Sequence, residues 1–89
     1  MILQLEEQLL DHIDQQVATA SDDELFAGGY LRGHISLAAA DCESEAIADV
    51  AHFKQKIVES LDKAQSELTP ADRVIVQDMW DNLSNMIQA

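Results

Sequence analysis

The chain has 89 residues, 47% of them hydrophobic, with one proline and one cysteine. A chain of this size and apolarity folds as one domain rather than staying disordered, and Cys42 has no second cysteine to pair with. Seventeen acids against five bases give a formal net charge of −12, which argues against direct binding to nucleic acid or anionic lipid; the acids read first as solvated helix faces that keep a small protein soluble, with a basic partner as the alternative.

The first helical stretch runs over about 2–18. At 100° per residue, Ile2, Leu3, Leu5, Leu9, Leu10, Ile13 and Val17 share one side, and Gln8, Asp11, Asp14 and Gln15 point away. The opening Met-Ile-Leu-Gln-Leu-Glu-Glu lacks the basic start and unbroken apolar run of a secretory signal, so a cytoplasmic location is expected. Charge-free runs also fall short of the roughly 20 residues that cross a bilayer, which argues against a membrane protein.

Ser21 and Glu24 have the spacing of a capping box and open the second stretch, about 22–41. Phe26, Tyr30, Leu31, His34, Ile35, Leu37, Ala38 and Cys42 spread over about 200° of its circumference, leaving a narrow strip with Arg32 and Ser36. A helix so broadly apolar belongs at the centre, touching more than one neighbour. Glycines 28, 29 and 33 each cost roughly 1 kcal/mol relative to alanine in a helix interior. They raise the question of a kink at Gly28-Gly29. Asp41-Cys42-Glu43-Ser44-Glu45 then contains neither Gly nor Pro, with Ser44 as the one cap candidate.

The third stretch, about 45–67, aligns Ile47, Val50, Phe53, Ile57, Val58, Leu61, Ala64 and Leu68, with His52, Glu59 and Lys63 opposite. Thr69-Pro70 is a helix start, because threonine caps and proline suits the first helical position. The fourth helix, about 70–87, has the cleanest stripe: Ile75, Val76, Met79, Trp80, Leu83, Met86 and Ile87. Four helices joined by short connections predict an all-α, up-and-down antiparallel four-helix bundle. Glu6 and Lys54 fall inside apolar stripes and are read as snorkelling from the bundle ends.

Catalytic and metal chemistry is mostly missing. A di-iron bundle needs paired Glu-x-x-His motifs, and His12 and His34 each have leucine three positions earlier. Asp49 and His52 form the nearest match, on a face read as solvated. One cysteine and scattered histidines make no zinc site, and Asp41 and Glu43 beside Cys42 oppose a reactive thiolate. The glycines match no phosphate-binding fingerprint. No enzyme, metal or cofactor is expected.

The candidate binding residues are Tyr30, Arg32, His34 and Trp80. Tyr30 and His34 lie one turn apart in the apolar arc, which more often makes a satisfied core histidine than a ligand. Arg32 is the one base among the first 52 residues, against eleven acids. It either neutralises neighbouring acids or orients an anionic group of a partner. Trp80 reads as core, with an exposed anchor as its alternative.

Ala20-Ser-Asp-Asp-Glu-Leu-Phe-Ala-Gly-Gly-Tyr-Leu-Arg-Gly-His34, followed by Leu37-Ala38, resembles the signature block of the YfcL family of small bacterial proteins. Leu68-Thr-Pro-Ala-Asp72 and Asp78-Met-Trp-Asp-Asn-Leu83 resemble its C-terminal block, and residues 42–67 match less distinctively. The resemblance implies a small helical cytoplasmic protein with no established molecular function, so no catalytic residue carries over. The leading expectation is an acidic helical protein acting through protein–protein contact, as an adaptor or a self-associating unit. The alternative is a small-ligand or metal-binding protein using Tyr30, His34 and nearby acids. A remoter one is a nucleic-acid mimic that presents acids to a basic protein.

Overall fold

The computed structural model describes residues 2–46 and 49–87, which form a bundle of helices. Its helices are α1 (Ile2–Gln15), α2 (Asp22–Ser44), α3 (Val50–Ala64) and α4 (Pro70–Met86), and there is no strand among the described residues. The Cα radius of gyration is 12.6 Å, close to the roughly 12 Å expected for a compact chain of this length.

Local signals set most of the boundaries. Ser21 Oγ accepts from the Glu24 N–H and the Glu24 carboxylate accepts from the Ser21 N–H, completing the capping box. Thr69 Oγ1 accepts from the Asp72 N–H, and Pro70 occupies the first turn of α4. α1 is shorter than its apolar period suggests. It ends at Gln15, and a single 3₁₀ turn, Val17–Thr19, redirects the chain, so Val17 is exposed rather than part of the stripe. Leu3 is likewise exposed.

α2 runs unbroken through Gly28-Gly29 and no glycine has a positive φ, so there is no break at the glycine pair. It also runs past residue 41 to Ser44, which closes α2 instead of capping α3. Ala46, at φ 57°, takes the left-handed position, and its N–H donates to the Glu43 carbonyl. α3 begins at Val50 rather than near 45, because Asp49 accepts from the Ala51 N–H and caps it. Ile47 lies outside the described residues. At its far end α3 passes into a 3₁₀ turn, Gln65–Glu67, whose Gln65 carbonyl accepts from Arg73 Nε on α4.

α2 is the hub: it packs on α1, on α3 and on α4. Ala27, Leu31, Ile35, Ala38, Ala39 and Cys42 are buried along it and meet Leu9 and Ile13, Phe53 and Ile57, and Val76, Trp80 and Leu83 from the other three helices. Three neighbours do not surround a helix that is apolar on nearly every side. Leu25, Phe26 and Leu37 therefore remain at 42%, 40% and 55% exposure, and the expectation that Phe26 and Leu37 face the interior fails on the number of helices available to cover them. Val58 and Met86, also placed in stripes by their period, are partly exposed too.

Candidate functional site

The Tyr30–His34 segment divides between two sides of α2. Phe26, Tyr30 and His34 recur every four residues and form an aromatic ladder, with ring centroids 6.1 Å and then 4.6 Å apart. Its last two members, Tyr30 and His34, lie against α3. The Tyr30 hydroxyl donates to the Ala64 carbonyl at 3.4 Å, and His34 Nδ1 is hydrogen-bonded to Ser60 Oγ at 2.6 Å. Desolvation pushes the His34 pKa down from its ordinary value, and the negative charge of Glu67 opposes this. Desolvation, then Glu67, push the Tyr30 pKa up.

A histidine bonded to a serine hydroxyl has the ingredients of a base and a nucleophile. Both residues here are half-buried in the α2–α3 seam and line neither the α1–α2 cleft nor the α1–α4 opening described below. The pair is what a satisfied interior histidine looks like, with its polar atom matched across a helix interface.

Arg32 faces the other way. Its Nε and Nη2 donate to Oδ1 and Oδ2 of Asp14 at 3.0 and 2.9 Å, a two-pronged bridge between α2 and the end of α1. The guanidinium holds the Asp14 carboxyl below its usual range, and Asp11 and Glu6 add to the negative field around Arg32. Trp80 is buried, 4% exposed, and is a core residue rather than a surface anchor. The structure thus brings Tyr30 and His34 together against α3, turns Arg32 toward α1 and buries Trp80 in the core.

Chemistry elsewhere is muted. Cys42 is fully buried, and burial is the main reason its thiol pKa lies high; Asp41 and Glu45 reinforce the effect and Lys56 opposes it. Asp49 is engaged as a cap. His52 is half-buried rather than on a solvated face, and its Nε2 has no hydrogen-bond partner among the described residues. No cluster of three His, Cys, Asp or Glu among the described residues has metal-holding geometry.

What remains is the uncovered side of α2. A Cβ built on Gly29 or Gly33 meets nothing within 4 Å, whereas one built on Gly28 stands 3.0 Å from Ile13 Cγ2. Gly28 is a packing glycine that lets α1 approach, and the other two have no partner among the described residues. Gly29, Gly33 and Leu37 follow one another at intervals of four, so they share a strip with Phe26. Beside the strip, a cleft of about 130 Å³ lies between Val17 and Ile13 on one side and Leu25 and Gly29 on the other, with Met79 also lining it and the Arg32–Asp14 bridge at its edge. A more polar opening of about 320 Å³ between α1 and α4 adjoins it through Met79 and Gln16. Sequence reading singled out the polar residues of this segment and missed Phe26, Leu37 and the cleft; the signal that pointed to them was the excess width of the apolar arc.

Comparison with known proteins gives a consistent result. A family model described as YfcL protein matches residues 3–85. The chain is 47% identical over 85 residues to Uncharacterized protein YfcL of Escherichia coli (strain K12), an alignment covering 93% of this chain and 92% of the relative. No solved structure matches.

Proposed function

Because the chain belongs to the YfcL family, which brings no catalytic residue with it, we propose from its own surface that it acts through protein–protein contact at the uncovered side of α2. The observation that carries this reading is the pair Gly29 and Gly33. Each weakens α2 by roughly 1 kcal/mol relative to alanine, yet neither makes room for any neighbour among the described residues. Glycine in a helix earns its place where another backbone comes close, and here that backbone belongs to another chain. Phe26 and Leu37, exposed on the same strip, supply the apolar area such a contact would bury.

The protein on this reading is a binding module and not an enzyme. Tyr30 and His34 serve as structural residues of the α2–α3 seam, which argues against the ligand-binding alternative. A cytoplasmic location belongs to the same proposal, supported by a lone, fully buried thiol, which suits a reducing compartment. No helix among the described residues is long and apolar enough to cross a membrane.

The test compares proteins captured from a cell lysate by the wild type and by Gly33→Gln/Leu37→Gln. Both positions are exposed, so the fold should survive, as helical circular dichroism will report. Selective loss of captured proteins supports the proposal. An unchanged set, captured by a folded variant, refutes it.

A further inference from the structure

The outer strip of α2 also carries information about what lies on it. From Leu25 to Ala40 the sequence contains no acid, although acids outnumber bases seventeen to five in the whole chain. Asp22, Asp23 and Glu24 precede this stretch, and Asp41, Glu43 and Glu45 follow it. The one charge inside it, Arg32, is already held by both oxygens of Asp14. α2 therefore presents an apolar strip with acids beyond each end: Asp22 and Asp23 before it and Asp41 and Glu43 after it, while Glu45 lies just past the helix and is held by Lys56 Nζ at 2.6 Å. Asp23 and Asp41 share one face and are 18 positions apart, about 27 Å along a helix.

We propose that the occupant is a helix of a different protein, apolar in its middle, with Lys or Arg near both ends about 27 Å apart, and with one bulky apolar side chain seated in the cleft beside Gly29. This rests on the reading of α2 as a contact surface and adds the chemistry of the partner. Length and charge select a helix: an apolar helix laid along α2 has its middle over Gly29 and Gly33 and its ends over the two acidic groups. Groove packing brings helix axes to 8–10 Å, and glycines on one side permit the closer limit. The cleft takes one anchor, since about 130 Å³ is of the order of a cavity that accepts a single benzene-sized group. A second copy of this chain is disfavoured. Parallel or antiparallel, two α2 strips face to face would set acidic ends against acidic ends, and like charges directly opposed work against pairing.

A displayed library of 20-residue amphipathic helices, randomised at the central apolar position and at both ends, tests the proposal. It is selected in parallel against the wild type and Gly29→Leu, which fills the mouth of the cleft from an exposed position. The expected result is enrichment of sequences with Leu, Phe, Met or Trp at the centre and Lys or Arg at both ends, with at least a tenfold loss of affinity on Gly29→Leu. Enrichment without basic ends, binding that Gly29→Leu leaves unchanged, or no enrichment overturns the proposal. So does a wild-type dimer in sedimentation that Gly29→Leu dissociates, which would make the occupant a second copy. Each of these leaves the lysate comparison of Gly33→Gln/Leu37→Gln standing as the separate measure of whether α2 is a contact surface at all.

Discussion

Replacing the three glycines of α2 one at a time by alanine should split them by sign. Alanine at position 29 or 33 removes a helix penalty of about 0.8–1 kcal/mol, part of it by restricting the unfolded chain, and its Cβ enters open space. For a domain of this size 1 kcal/mol corresponds to about 4–8 °C in Tm, so each variant should melt several degrees higher and the pair should be roughly additive. Alanine at position 28 makes the same propensity gain but sets its Cβ 3.0 Å from Ile13 Cγ2, with Met79 Sδ next at 3.8 Å. Isoleucine is β-branched and stiff at χ1, so that methyl cannot swing aside, and overpacking of this kind costs about 1–3 kcal/mol. The net for Gly28→Ala is therefore a loss of up to about 2 kcal/mol. Thermal and urea denaturation followed by far-UV circular dichroism read all three. A fall in Tm for Gly29→Ala or Gly33→Ala would refute the claim that these positions have no intramolecular partner, and a stabilised Gly28→Ala would refute the close approach of α1.

Ala46 is the converse case: at φ 57° a side chain costs roughly 1–2 kcal/mol, so Ala46→Gly should stabilise by about 0.5–1 kcal/mol after the unfolded-state entropy is counted, visible as a higher urea midpoint. Burial holds the folded-state pKa of His34 below 6.5, so the unfolded chain takes up this proton first and the stability is present above that pH and lost as pH falls. Across pH 6.5 to 4.5, the ordinary values of histidine and glutamate, the Tm of His34→Gln should fall less than that of the wild type; parallel curves would remove His34 from the acid limb. Cys42, buried and with its thiol pKa raised, should react with a thiol reagent only in denaturant, and rapid labelling of the native protein would contradict its place in the core.

Signals that act within a few residues were legible. The Ser21–Glu24 box, the Thr69-Pro70 start and the central role of α2 need only spacing and the width of an apolar arc. The end of α2 was not, because the turn there uses Ala46 in a left-handed conformation that sequence normally advertises with glycine, and Asp49 caps α3 where Ser44 was the candidate. Apolar periodicity also does not say how many helices are available to cover a face, which is why Phe26 and Leu37 were placed inside. The partners of Arg32 and His34, Asp14 and Ser60, are 18 and 26 positions away. Composition announces that an arginine among acids will be paired, and a wheel announces that a histidine will be half-buried, but only the packing of α2 on α1 and α3 chooses the atoms.

The use of glycine in this chain is what favours the proposed contact surface over a merely soluble one. A fold that needed backbone freedom would place glycine at Ala46, the one described residue outside glycine with positive φ, yet the glycines all sit inside α2 in helical conformation. Gly28 is accounted for by Ile13, and Gly29 and Gly33 by nothing among the described residues. Acids kept for solubility would be spread over every exposed face. On α2 they stop at Glu24 and resume at Asp41, leaving the strip that holds both unpartnered glycines free of them. The two departures coincide on one side of one helix, the side the other three helices leave uncovered. On the proposal that α2 is a contact surface, both departures have one explanation: the helix gives up about 2 kcal/mol of its own propensity where another chain comes close, and its surface there lacks repulsive charge.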